Sequence, residues 1–297
     1  MARASELEEP MPGSLHGDVQ QDAGHSRQTG MCYQLDEGPG RVRLGLIALA
    51  NDRVIERDLV LMRPGDETLI YTSRIAFEGE CTLENLSAMS SDLTGAAELL
   101  DPSLELGAIM FGCTSGTVAL GADRVRTAIG SAQPDVACID PISAALQAFA
   151  ELGVDKIGLL APYVDDVVEP IISAFDRHGV RTVGRNGLGI VDSADISRVT
   201  PQSIFDNALL ADRPQADALF IACTDFRSLE VIEAIEADVG KPVVTSNQAL
   251  FWSAMRAAGH ACQIDGFGRL LRGAADRDGA SSASSTERNH PLEDAGT

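Results

Sequence analysis

Lysine is nearly absent from this chain: 297 residues hold two, Lys156 and Lys241. Aromatic residues make up 4%, with a single Trp, and there are five His. Basic residues total 23 against 44 acidic ones, a formal net charge of -21. A surface this acidic argues against a nucleic-acid partner, because phosphates are held by clustered Lys and Arg. Both lysines fall at the expected starts of strands, away from the ligand-binding end, which argues against a pyridoxal Schiff base. The apolar runs are strand-sized and stop well short of the roughly 20 residues of a membrane span, so no membrane partner is expected. None of the six cysteines forms a CxxC pair, so zinc ribbons and thioredoxin-type chemistry are not indicated. Also missing are GxxxxGK(S/T), G-x-S-x-G and the D-x-D-x-D-G calcium loop. The stretch GRNGLG (184–189) is Gly-rich but lacks the dinucleotide spacing, and is expected to be a loop. No cofactor and no metal site is therefore expected. The start, MARASELEEPMPG, carries no apolar signal segment, so a cytoplasmic chain with reduced thiols is expected.

What is present reads as an α/β protein. Hydrophobic residues at 44% and charged residues at 23% are globular proportions. Residues 1–40 and 273–297 are polar, Gly- and Ser-rich and aperiodic, and read as disordered tails. Between them, short Val/Ile/Leu-rich runs with little polar alternation suit parallel strands buried on both faces. They are 42–50, 106–112, 136–139, 157–161, 180–183, 218–222 and 242–245. Amphipathic stretches lie between them. Residues 83–100 place Leu83, Leu86, Leu93, Ala97 and Leu100 on one stripe. Thr200-Pro201 reads as an N-cap followed by Pro at the first helical position. Pro170 interrupts a helical run over 164–178, where a kink or a late helix start is expected. His178 and His260 each adjoin a Gly at an expected helix end and read as caps rather than metal ligands.

Three stretches recur. LGLIALA (44–50) matches IGLLAPY (157–163). LGAIMFGCTS (106–115) matches DALFIACTDF (217–226). PDVACIDPISAALQAFAELG (134–153) matches KPVVTSNQALFWSAMRAAG (241–259). The three pairs keep their order at nearly constant offset, which indicates a duplicated lobe. The expectation is two pseudosymmetric lobes, 41–150 and 151–272, each a roughly four-stranded parallel sheet flanked by helices.

Each copy carries a Cys-Thr turn after a buried strand. One is Gly112-Cys113-Thr114-Ser115-Gly116, the other Ala222-Cys223-Thr224-Asp225. Ligands of parallel sheets bind beyond the carboxyl ends of the strands. Helix N-termini there offer free N–H groups, which lower a thiol pKa and receive a carboxylate. A pseudo-twofold would set the two thiols on opposite sides of one cleft. One could remove a proton and the other deliver one, or one could attack as a nucleophile. A lone cysteine at a strand end is more simply a small buried hydrophobe. The repetition favours function. Cys138 reads as core, and Cys32, Cys81 and Cys262 have no supporting context.

These turns, with ANDRVIERD after the first strand, APYVDDVVEP at the start of the second copy and KPVVTSNQALFW near the end, resemble the aspartate/glutamate racemase superfamily. The chain is most similar to its maleate isomerase and arylmalonate decarboxylase branch, and within that to the ectoine-utilisation protein A group, over about 41–270. The resemblance implies cofactor-independent chemistry at a carbon next to a carboxylate, in a site between two lobes. It implies that Cys113 and Cys223 are the catalytic thiols. Thr114, Ser115, Thr224 and Asp225 would hold the substrate carboxylate, and Tyr163 would contact substrate. Asn247 opens the last helix as either a contact or a cap. Asp52 stands where maleate isomerases carry Asn. An anionic side chain there disfavours a dicarboxylate and suits an amine-bearing substrate, such as an ectoine-derived amino acid. Asp52 could also merely cap a turn, and a shift of one position would put Asn51 in its role.

Three readings follow. The first is a racemase or isomerase using both thiols on a small carboxylate or amino acid. The second is maleate isomerisation or a decarboxylase-type lyase, the latter needing one thiol. The third is a two-lobed binding protein without turnover. A homodimer is the default expectation for such an enzyme.

Overall fold

The computed structural model describes residues 25–28, 31–36, 38–77 and 79–273. The expected tails lie largely outside these. Where the first tail is described it contains secondary structure: β1 (His25–Gln28) pairs antiparallel with β2 (Met31–Gln34). Among the described residues, this hairpin belongs to a unit that ends at Pro39, and residues 40–273 belong to a second unit.

The second unit contains two four-stranded sheets. The first is built from β3 (Val42–Leu49), β4 (Thr68–Ile75), β5 (Ala108–Gly112) and β6 (Ala137–Ile139), in the order β4-β3-β5-β6. The second is built from β7 (Lys156–Tyr163), β8 (Arg181–Ile190), β9 (Ala218–Ile221) and β10 (Val243–Thr245), in the order β8-β7-β9-β10. Every pair in both sheets is parallel. The topologies are identical, and the three sequence repeats fall on β3/β7, β5/β9 and β6/β10. Each apolar run expected as a strand overlaps one.

The two edge strands are where the structure departs from expectation. β4 is not among the expected strands: TLIYTSRI is partly exposed along much of its length, so it lacks the apolar run that marks the others. The expected GRNGLG loop is strand: β8 runs through it. Gly184 is there for clearance, and Gly189 for a positive φ of 68°. A Cβ on Gly184 would stand 2.2 Å from the carbonyl oxygen of Ala211, at the end of the helix Pro201–Ala211, and one on Gly158 would stand 2.5 Å from the same atom. Gly184→Ala is expected to cost about 1–3 kcal/mol through forced backbone movement. The check is a lower urea midpoint at unchanged slope.

Two helical expectations also change. The stripe over 83–100 breaks into a helix Leu83–Ala88, a 3-10 turn Met89–Ser91 and a helix Leu93–Glu98. The helix Asp165–Asp176 begins before Pro170 and continues through it rather than starting late. Thr200 does cap its helix, accepting the Ser203 N–H with Pro201 in the first turn.

The core includes three phenylalanines in edge-to-face contact, Phe149, Phe175 and Phe220, with ring centroids 5.5, 5.8 and 5.2 Å apart. What positions the site is the last long helix, Ser246–Ala257. It opens with a reciprocal capping box between Thr245 and Gln248. Residues 246–255 are all buried, because this helix leaves β10 and packs against β5 and the helices Ile55–Met62 and Pro141–Leu152 of the first lobe. Its first turn therefore lies between the two sheets.

Candidate active site

Both thiols stand at carboxyl ends of central strands. Cys113 follows β5 and is the N-cap of the helix Thr114–Leu120, its sulfur accepting the Gly116 N–H at 3.2 Å. A Cβ on Gly116 would come within 2.9 Å of that sulfur, so the glycine is required. Cys223 follows β9 but opens no helix. Turn residues come next, then a 3-10 turn Ser228–Val231. Cys223 holds a left-handed backbone with φ 96°, costly for a residue with a Cβ and an indication of a functional constraint. The expectation of a helix N-terminus behind each thiol thus holds for Cys113 alone.

Hydrogen bonds join the two turns across the lobes. Ser246 Oγ accepts from Thr114 Oγ1 at 2.8 Å and from the Cys223 N–H at 3.1 Å. Thr224 Oγ1 donates to the Gly112 carbonyl at 3.1 Å. Asn247 Nδ2 donates to the Thr224 carbonyl at 2.8 Å and to Asp58 Oδ2 at 2.9 Å. The hydroxyls of Thr114 and Thr224 are therefore already donated within the protein. The N–H groups of Thr114 and Ser115, in the first helical turn, have no intrahelical acceptor and remain suited to a carboxylate. Asn247 acts as a tie between lobes, and its Oδ1 is buried without a hydrogen-bond partner among the described residues. Asn247→Leu would leave Asp58 buried without its amide donor and is expected to cost about 1–3 kcal/mol, read from urea unfolding.

Tyr163 ends β7, is buried, and lies close enough to Cys223 for its hydroxyl to favour the thiolate. Asp52 Oδ1 accepts the Val54 and Ile55 N–H groups at 2.9 Å, so it does cap the turn that starts the helix Ile55–Met62. Its carboxyl also meets Thr224 and Asp225. Asp225 accepts the Arg53 N–H at 2.7 Å. An acidic pair, one carboxyl from each lobe, thus stands beside the thiols. Asn51 lies elsewhere, donating to Ser193 Oγ at 2.9 Å.

Two residues here had no support in the sequence. One is Ser246, whose hydroxyl joins both turns. The other is Cys81, whose thiol donates to Ser115 Oγ at 3.7 Å, the same oxygen that lies 3.7 Å from Cys113 Sγ. Cys81 sits in a seam between the edge-strand loops: its N–H bonds the Val191 carbonyl at 3.0 Å, Glu80 pairs with Asp192, and Ser193 Oγ bonds the Gly79 carbonyl at 2.8 Å. Nothing in the repeat marked it, because the position has no partner in the other lobe.

Burial dominates the electrostatics. It pushes Cys113 up to about 12 and Cys223 well above the ordinary thiol value, with Asp225 raising Cys223 further. The expected lowering of both thiols is thus reversed in this closed, solvent-excluded arrangement, where Cys113 is 4% and Cys223 5% exposed. Burial and its like-charged neighbour Asp52 push Asp225 to about 7, and burial raises Asp52 as well. Burial likewise takes Asp58 to about 7. These carboxyls bind protons more tightly folded than unfolded. Their contribution is therefore most favourable near pH 4 and is lost as pH rises to about 7. Unfolding midpoints are expected to fall between about pH 5 and pH 8, and Asp58→Asn should flatten part of that slope. Among the described residues, no three His, Cys, Asp or Glu side chains are grouped to hold a metal ion, and no helix is long and apolar enough to cross a membrane.

A pseudosymmetric pair of parallel lobes with a thiol at the same strand end of each defines a class of two-lobed α/β enzyme. The chain belongs to the arylmalonate decarboxylase family, whose model matches residues 123–271. It is 31% identical over 137 residues to the arylmalonate decarboxylase of Bordetella bronchiseptica, a match spanning 45% of this chain and 57% of that protein's own length. It is 24% identical over 244 residues to the maleate isomerase of Nocardia farcinica, across 77% of this chain and 95% of that one. A solved structure of the Nocardia farcinica maleate cis-trans isomerase, a Cys-to-Ser mutant with a covalently bound succinylcysteine intermediate, has the same fold. Its TM-score is 0.72 at 21% identity, over 78% of this chain and 98% of that one.

Proposed function

We propose that this protein is a cofactor-independent isomerase that uses Cys113 and Cys223 on opposite faces of a substrate carbon next to a carboxylate. The observation that carries the proposal is the pair of buried thiols at equivalent strand ends, one of them beside Tyr163. In a racemisation, one thiolate removes the proton from the α-carbon and the other thiol gives its own to the opposite face. The two sulfurs end with their protonation states exchanged. The backbone N–H groups of Thr114 and Ser115 would hold the carboxylate, and the Tyr163 hydroxyl would stabilise Cys223 as thiolate.

The proposed substrate carries an amine. The Asp52–Asp225 pair would repel a second carboxylate and would attract an ammonium group. An ammonium in that position would also lower the neighbouring thiol, offsetting the burial that keeps it protonated. Asn247 Oδ1 is an acceptor with capacity to spare. The resemblance to the ectoine-utilisation group points to an amino acid from ectoine or hydroxyectoine breakdown.

A second reading is maleate cis-trans isomerisation, favoured by the near full-length match to a maleate isomerase. A thiolate would add to the double bond, the new single bond would rotate, and the thiolate would leave. The acidic pair weighs against this reading. Proton NMR in D2O separates the two, using aspartate, diaminobutyrate, acetylated diaminobutyrates, their hydroxylated forms and maleate. Deuterium at the α-carbon of an amino acid is the expected result. Turnover of maleate alone would transfer the proposal to the second reading, and saturable binding without any turnover would reject catalysis on these substrates.

A further inference from the structure

The chain's net charge is -21, yet four arginines line one recess. The recess measures about 420 Å³ and is walled by Arg53, Val54 and Arg57 on one side and by Ser197, Arg198 and Arg227 on the other. The first three come from the start of the helix that follows β3. The others come from the segments after β8 and β9, so the walls belong to different lobes.

Among the described residues no acid lines the recess, and those nearby pair unevenly with its cations. Arg57 and Arg227 share Glu230, at 2.9 and 3.0 Å, and Arg57 also reaches the buried Asp58 at 3.4 Å. Arg198 pairs with Asp195 at 2.8 Å, within its own turn. Among the described residues Arg53 makes no ion pair within 4 Å, although its charge acts on Asp225, which also accepts its backbone N–H. A second observation is independent of charge. Ser197 Oγ is buried and has no hydrogen-bond partner among the described residues. An orphaned hydroxyl costs free energy that a ligand's acceptor atom would recover. Arginines on both walls of a recess match the oxygens of a phosphate or of carboxylates, and an anion there would add to the Glu230 carboxylate that already bridges Arg57 and Arg227.

We propose that this recess is a binding site for a small dianion, a phosphate or a dicarboxylate, held between the two lobes. Arg53 adjoins Asp52, and Arg227 lies shortly after Cys223. An occupant would therefore fix the two segments that carry the acidic pair and the second thiol. No wall of the recess is a thiol residue, so the site stands or falls by binding alone.

The test is isothermal titration of the full chain with inorganic phosphate at low ionic strength, repeated with succinate present. Saturable binding of one phosphate per chain is expected. Arg53→Gln and Arg198→Gln should each weaken it by at least about tenfold, and Ser197→Ala by a few-fold. Circular dichroism and urea midpoints establish that the variants fold. Competition by succinate assigns the site to dicarboxylates as well. Phosphate binding without competition restricts it to phosphate groups, and both results support a dianion site. Absence of saturable phosphate binding to the wild-type chain overturns the proposal. So does an affinity unchanged in all three variants.

Discussion

Cys223→Ser is expected to lower turnover by about 10²–10⁴-fold, and Cys113→Ser by a similar factor. A serine hydroxyl is a far weaker acid than a thiol, so it neither gives up a proton readily nor persists as the base in a buried site. The substitutions are close in shape. A Ser at 113 can still accept the Gly116 N–H that Cys113 accepts at 3.2 Å, so the helix cap survives. At 223 the backbone N–H to Ser246 is untouched. Loss of activity should therefore come with little change in unfolding midpoint. The pair of variants also separates the readings. In a decarboxylase-type reaction with one protonating thiol, Cys113→Ser would retain most of its activity while Cys223→Ser would not.

Asp52→Asn is expected to reduce kcat/KM for an ammonium-bearing substrate by roughly 30-fold or more, the effect of removing one partner from a buried charge-assisted hydrogen bond. Asparagine keeps an oxygen for the Val54 and Ile55 N–H groups, each 2.9 Å away, so the turn before the helix Ile55–Met62 should persist. It also relieves the repulsion that raises Asp225. The variant should be at least as stable as the wild type near pH 8, where both carboxyls are otherwise driven to ionise. Affinity for dicarboxylates such as maleate should rise. Kinetics on an amino-acid substrate and on maleate, run side by side, check both halves. A parallel fall in activity on both would mean that Asp52 supports the fold of the site rather than selecting its ligand.

The repeat made much of this architecture readable. Gly45 and Gly158 lie on β3 and β7, and Cys113 and Cys223 follow β5 and β9, because a duplicated chain keeps its strand ends in register. The edge strands were less readable. β4 is partly exposed along much of its length, and β8 carries Gly184 for clearance against Ala211 and Gly189 at a positive φ, so both lack the apolar run that burial on two faces imposes. In the site, local sequence could place a thiol at a strand end, but not the desolvation that raises it, which depends on what the other lobe brings. Ser246 and Cys81 share the second difficulty. Their roles come from atoms far away in sequence, Thr114 and Cys223 for one and Ser115 for the other. The helix expected after Cys223 is replaced by a turn in which Asp225 reaches back to Arg53, a contact across the lobes that no local pattern encodes.

Two thiols working on opposite faces of one carbon leave a signature in the early time course of isomerisation in D2O, started separately from each enantiomer of the amino acid that the substrate panel identifies. Two-thiol proton transfer predicts deuterium in the product enantiomer from the first turnovers, with the recovered starting enantiomer still carrying hydrogen. Deuterium entering the starting enantiomer as fast as the product would mean that one group serves both faces, and the two-thiol account would be wrong.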